Sequence, residues 1–247
     1  MAHPPSLSLN SWLRSGWINR GLRGLSPDTE VLEIGAGQGA FGVRLAKRFR
    51  YLGIESDAIS GAMAHERVTA AGGDLLIGAA EQTVGDRRFD ALVAFEVLEH
   101  LEDDLTALRG WVGWLRPGGR LVVSVPSDPR RFGPWDEAVG HYRRYTREQV
   151  RSLLEDAGFE SISVWSYGWP LGYLLESVRD RLARHQMRTD GSMDARTAGS
   201  GRSFQPADVL GPGTWLATLP FRALQWPFSR TRLGTGLVAA ARWPGSN

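Results

Sequence analysis

Positions 31–42, VLEIGAGQGAFG, constrain the fold of this chain more than any other stretch. An apolar run carrying one acid leads into glycines at alternate positions, Gly35, Gly37 and Gly39. Glycine weakens strand and helix interiors, so this spacing marks a turn where the backbone bends sharply or is approached closely. A helix-period pattern follows at once. A strand handed to a helix through such a turn opens a parallel α/β sheet.

The rest of the chain repeats the alternation. Strand patterns fall at 30–35, 51–56, 74–80, 89–97 and 120–126, with helical patterns at 40–49, 57–72 and 98–115 between them. Arg116-Pro117-Gly118-Gly119 stops the last of these helices. The stretch after Ser127 reads as a loop rich in arginine and aromatics. A helix at 146–159 follows, with Thr146 and Gln149 as a capping box. A sixth strand is expected at 161–168 and a last one at 236–244. Crossovers of this kind place helices on both faces, and ligands bind outside the carboxyl ends of the strands.

Four segments follow from this pattern: a helical lead-in (1–27), a core (28–169), a helical insert (170–233) and a final strand (234–247). Trp12, Leu13, Trp17 and Ile18 form the apolar side of the lead-in. In the insert, Leu171, Leu174, Leu175, Val178 and Leu182 share one helix side. Residues 188–203 have little to bury and read as a mobile loop. The insert is apolar, aromatic and interleaved with arginine. It could roof a substrate pocket, lie on a membrane surface, or complete the core.

Composition excludes several classes. The 247 residues contain no cysteine, which removes disulfides and thiolate metal sites. The net charge of +2 is too small to argue for nucleic acid. The start of the sequence lacks a basic-then-apolar leader, and no apolar run is long enough to span a bilayer. A cytoplasmic enzyme is expected.

The glycine turn alone leaves two ligand classes open. GAGQGA fits a dinucleotide-binding turn, and Glu55 stands where an acid would meet a ribose hydroxyl. A nicotinamide-dependent dehydrogenase is therefore one reading, and a catalytically silent cofactor-binding module another. Glu33 argues for a different ligand. A carboxylate at that strand end needs a cationic partner, such as an amino-acid ammonium, and would repel a pyrophosphate.

The series VLEIGAGQG, GIES, AAEQ, FDALVAFEVLEHLED and LRPGGRLVVSVP resembles the class I S-adenosylmethionine-dependent methyltransferases. Its EVLEHLED form is similar to the branch holding quinone-biosynthesis O-methyltransferases. The resemblance implies a doubly wound, Rossmann-like, seven-stranded, mostly parallel α/β sheet with an antiparallel last strand. It implies S-adenosylmethionine as cofactor and S-adenosylhomocysteine as product. Glu33 would hold the methionine ammonium. Gly35, Ala36, Gly37 and Gln38 would pass beneath the methionine and ribose. Glu55 would bind both ribose hydroxyls, with Ser56, Ala80 and Glu81 around the adenine. Ala79 departs from the acid common at its place. Phe95 and Glu96 would border the sulfonium and methyl group.

Methyl transfer from a sulfonium is an in-line displacement, and a base is needed only where the acceptor must lose a proton. His100, one helical turn beyond Glu96, and His141, beside Tyr142, are the candidate catalytic residues for a phenol or enol acceptor. Glu96, Glu99, His100 and Asp103 could share a divalent metal. Acids at a helix start are stabilised by the helix dipole in any case, and no metal is expected. The expected activity is O-methylation of a small hydrophobic or aromatic molecule.

Overall fold

A computed structural model of the chain describes residues 7–186 and 219–245. Seven strands form one sheet: β1 (Glu30–Ile34), β2 (Arg50–Glu55), β3 (Asp74–Ile77), β4 (Phe89–Phe95), β5 (Leu115–Pro126), β6 (Glu160–Tyr167) and β7 (Gly236–Arg242). Their order is β3-β2-β1-β4-β5-β7-β6. The pairs among the first five are parallel, whereas β7 runs antiparallel to both β5 and β6. Strand order reverses between β1 and β4, where an open α/β sheet leaves its ligand crevice.

Alternation along each strand sorts the core into two layers. Leu32, Ile34, Leu92, Ala94, Leu121 and Val123 face one side. Helices α5 (Asp104–Val112) and α7 (Arg147–Asp156) cover them with Leu108, Trp111, Val150 and Leu154. Val31, Tyr51, Val93, Phe95 and Val122 face the other side. There α1 (Leu9–Gly21), α2 (Gly42–Ala46) and α3 (Ala58–Thr69) contribute Leu13, Trp17, Val43 and Val68. By the same alternation Glu33 and Ser124 belong to the α1 side, so two polar groups enter an otherwise apolar layer.

Several sequence expectations are corrected. The third strand ends at Ile77, and Ala80–Thr83 form a helical turn, α4. The helix expected over 98–115 is broken. Leu98–His100 form a 3-10 turn, and Asp103 then caps α5 by accepting from the Thr106 N–H at 2.9 Å. Residues 115–119 are strand, because the Gly118 N–H reaches Trp243 and the Trp243 N–H reaches Gly119. The loop after Ser127 contains α6 (Pro134–Val139), with proline at its start and the Gly133 N–H donating to Asp136 at 2.9 Å. The Thr146–Gln149 capping box of α7 is present.

The insert is described only in part, as α8 (Leu171–Gln186) and a helical turn at 219–224; the loop expected at 188–203 lies outside the described residues. The apolar side assigned to α8 is buried only in part: Leu171 packs on the core and Leu175 is half-buried. Leu174 and Val178 are exposed, while Glu176 is buried. Arg131 and Arg144 draw that glutamate inward.

Candidate active site

The three glycines of the opening turn have positive φ for different reasons. A Cβ on Gly35 would stand 2.6 Å from Val97 Cγ2, so the turns after β1 and β4 touch there. A Cβ on Gly39 would stand 3.2 Å from the Ala64 backbone on α3. Around Gly37, with φ of 55°, no atom of the described residues lies within 4 Å of that position. Packing explains Gly35 and Gly39; Gly37 instead borders open space.

Glu55, at the end of β2, clamps this turn. Its Oε2 accepts from the Gly37 N–H at 2.7 Å and its Oε1 from the Asp57 N–H at 2.8 Å. Each carboxylate oxygen has a second lone pair for a further donor. Gln38 is half-buried, and its carbonyl accepts from Arg67 of α3. Ser56 and Glu81 are exposed and Ala80 is buried, on the turns after β2 and β3. The Gly78 N–H bonds the Glu55 carbonyl, tying those two turns together.

Glu33 is buried beneath the turn, accepting from the Tyr51 hydroxyl at 2.5 Å. Burial raises its carboxyl to about 8, with Glu55 adding to the rise, against the opposing pull of Tyr51 and Arg14. A carboxyl raised in the folded state contributes its stability in full below its ordinary value of 4.5 and loses it as pH climbs through about 8. Glu33→Gln is therefore expected to unfold at a higher temperature than the parent near pH 8 and at a similar one near pH 4.5. Thermal melts at the two pH values check this; a gap that does not widen with pH contradicts it.

At the end of β4, Phe95 is buried with its ring 5.0 Å from Phe41. Glu96 follows with φ of 58°, a left-handed conformation uncommon for a side-chain-bearing residue. Its Oε1 meets Arg14 Nη1 at 2.8 Å and accepts from Ser124 Oγ at 2.9 Å. Burial pushes the Glu96 carboxyl up, but Arg14 and Ser124 outweigh it, and the net shift is downward. Arg14 reaches the site from α1, and its guanidinium also lies 5.3 Å from the Phe41 ring centroid. Sequence reading placed α1 but missed this arginine, whose partners Glu96 and Ser124 lie over eighty positions away.

Beyond Glu96 the 3-10 turn delivers Glu99 and His100, and the loop after α6 delivers His141. The imidazoles of His100 and His141 stand edge to face at 4.7 Å. His141 Nδ1 pairs with Asp136 at 2.7 Å. Asp136 also accepts from Arg144 Nε at 2.9 Å and Nη2 at 2.6 Å. Although burial raises the Asp136 carboxyl, these partners hold it down at about 2. Arg144 in turn pairs with Glu176 of α8, which Arg131 joins. Burial and the neighbouring His141 hold the His100 imidazole down at about 4. Burial, then the Glu96 charge, drives the Glu99 carboxyl well above the ordinary range.

The metal quartet suggested by sequence spacing does not assemble. Glu96 is engaged by Arg14 and Ser124, and Asp103 caps a helix. His100 and His141, proposed separately, come together instead.

Residues 13–164 match a family model described as a methyltransferase domain. The chain belongs to that methyltransferase family. A probable S-adenosylmethionine-dependent methyltransferase of Mycolicibacterium smegmatis is 34% identical over 138 residues, covering 53% of this chain and 52% of that protein. Phosphoethanolamine N-methyltransferase 1 of Arabidopsis thaliana is 26% identical over 148 residues, covering 56% of this chain and 30% of that one. The chain thus spans about half or less of the length of these curated relatives. In fold it resembles phosphoethanolamine N-methyltransferase 2 of Haemonchus contortus, solved with S-adenosyl-L-methionine. The TM-score is 0.61 at 16% identity, over 95% of this chain and 53% of that one. Membership of the methyltransferase family replaces the nicotinamide reading of the glycine turn. Among the described residues no helix is long and apolar enough to cross a membrane.

Proposed function

We propose that this chain binds S-adenosylmethionine and transfers its methyl group to oxygen on a small molecule. One arrangement carries the reading: the Glu33 and Glu55 carboxyls lie on either side of a glycine turn whose middle member, Gly37, borders open space. The cofactor is a cationic amino acid joined to a nucleoside. Glu33 suits its ammonium and Glu55 its ribose diol, with Gly35, Ala36, Gly37 and Gln38 beneath. Ser56, Ala80 and Glu81 border the adenine, and Phe95 and Glu96 the sulfonium. The cofactor supplies the activation; this chain's residues hold it, exclude water and orient the acceptor.

Oxygen is preferred as acceptor because the methyl side carries a buried proton-handling group. A hydroxyl must lose a proton during transfer, whereas a neutral amine attacks without one. His100 and His141 are the acceptor-side residues, and the Asp136 contact orients the His141 ring. Phe41 and Phe95 favour a hydrophobic or aromatic acceptor. The outward Leu174 and Val178 of α8 leave the insert an apolar surface that could meet a membrane holding such a compound.

Calorimetry with S-adenosylhomocysteine and with NAD tests the cofactor; heat with NAD alone would end this reading. Glu55→Ala is expected to weaken S-adenosylhomocysteine binding by about 1.5–3 kcal/mol, since charge-assisted bonds to the diol and the clamp on the turn are both lost. Unchanged affinity removes the ribose assignment. Isotope-labelled methyl donor, offered with phenols, enols and amines and followed by mass spectrometry, tests the acceptor. Label on amines alone overturns the oxygen assignment, and no label on any acceptor points to a silent module.

A further inference from the structure

Basic side chains converge on the opposite rim of the sheet from the glycine turn. Arg120 stands level with Ala91 near the start of β4, whereas Phe95 and Ser124 mark the active-site end. A cavity of about 520 Å3 opens at that rim, beside the last turn of α1. Gly21 lets the turn lie close on the sheet, since a Cβ there would stand 3.0 Å from Val122. The turn brings Arg20 and Arg23 to the cavity, and β5 and β7 bring Arg120 and Arg242. Arg120 and Arg242 are direct neighbours across the two strands, a placement of like charges that weakens a sheet. Glu160 is in register with Arg242 from β6 but does not line the cavity. Among the described residues no acid lines it, and none of the four arginines forms an ion pair. Local contacts hold the guanidiniums in place. Arg120 Nη1 donates to the Gly21 and Arg23 carbonyls at 3.1 and 2.7 Å, and Arg20 lies 5.7 Å from the Trp165 ring centroid. Arg242 Nη2 stands 3.1 Å from where a Cβ on Gly118 would be, so that glycine makes room for it. On the far wall β6 bulges between Glu160 and Ser163, and Ser161 takes φ of 53°, an uncommon conformation held at a cost. Ser161 and Ser163 both line the cavity and add hydroxyl donors.

We propose that this cavity binds a small compound carrying two phosphate groups. Its volume is that of a small-molecule site, larger than a chance gap between surface side chains. Two phosphates carry about 3–4 negative charges, the match for four guanidiniums. The planar arginine fork suits phosphate oxygens, and the serine hydroxyls suit the rest. A bound anion would also relieve the repulsion between Arg120 and Arg242. The site stands apart from methyl transfer and does not rest on it. Spacing along the chain could not reveal this set, because α1, β5, β6 and β7 each contribute to it.

The test uses the full chain and inorganic pyrophosphate as probe. Calorimetry is expected to show one site per chain, tighter for pyrophosphate than for orthophosphate and weakened by added salt. Arg23→Gln and Arg242→Gln, both at exposed positions, should each lower the affinity about tenfold, the loss of one charge-assisted bond. Arg242→Lys should recover part of that loss. Arg87→Gln, on the exposed turn before β4, should leave the affinity unchanged. Circular dichroism reports folding of every variant. Sedimentation with phosphatidylcholine vesicles, with and without a bisphosphorylated inositol lipid, separates the sources. Retention by that lipid, competed by pyrophosphate, assigns the site to a headgroup; pyrophosphate heat without retention assigns it to a soluble compound. Either result upholds the site. No stoichiometric heat with pyrophosphate, or parental affinity in folded Arg23→Gln and Arg242→Gln proteins, overturns it. An equal loss in Arg87→Gln would also overturn it, by showing diffuse charge attraction. Tighter binding of citrate than of pyrophosphate would overturn the phosphate assignment.

Discussion

Gly37→Val is expected to remove S-adenosylhomocysteine binding while leaving a folded protein. Two effects combine at this position. The backbone has φ of 55°, which a β-branched residue adopts only under strain of about 1–2 kcal/mol. The side chain would then project into space that no atom of the described residues fills within 4 Å. That space is where the cofactor is proposed to lie, so the cost falls mainly on binding. Gly39→Val offers a contrast, because its side chain would drive into the α3 backbone 3.2 Å away and the cost would fall on stability. Calorimetry and thermal melts on the two variants separate the cases. Parental affinity in Gly37→Val would show that the turn is not the cofactor seat.

The second large effect concerns Asp136. Asp136→Ala is expected to destabilise the protein by about 3–5 kcal/mol, the usual consequence of breaking one partner out of a buried ion network. Asp136 and Arg144 are both almost wholly inaccessible, and the carboxylate serves His141, Arg144 and the Gly133 amide that precedes α6 together. Its loss leaves the guanidinium leaning on Glu176 alone. Adding Arg144→Met should recover part of the loss, because Glu176 keeps Arg131 and no buried charge is then stranded. Urea unfolding of the single and double variants measures both quantities. A single variant as stable as the parent would mean that the network carries little.

What the sequence made legible was what periodicity and local chemistry encode. Strand and helix patterns yielded the sheet, because the near-continuous apolar runs at 31–34 and 91–95 can be satisfied only by burial on two faces. Thr146 and Gln149 disclosed a helix start because both halves of that cap lie within one turn. Glu33 stood out as an acid in an apolar strand. What stayed hidden depends on distance. Arg14 sits in an amphipathic helix, where an arginine reads as solvent-facing; its bond to Ser124 spans 110 positions. Glu176 misled the reading of α8 for the same reason. Its partners come from a loop, and their charge outweighs the apolar ridge of Leu174 and Val178 that periodicity would bury. Asp136 fell in a stretch too rich in glycine and proline to read as helix, yet its carboxylate both starts α6 and holds Arg144.

The position of β7 has a consequence for how the molecule is made. β6 leaves the ribosome well before β7, yet β6 pairs in the sheet with β7, which bridges it to β5. Until residues 236–242 emerge, β5 keeps an open edge of valines and β6 has no neighbour in the sheet. A nascent chain stalled before that point would carry one open edge on β5 and two on β6, a ready template for intermolecular pairing. Closure of this side of the sheet therefore waits until β7 has emerged.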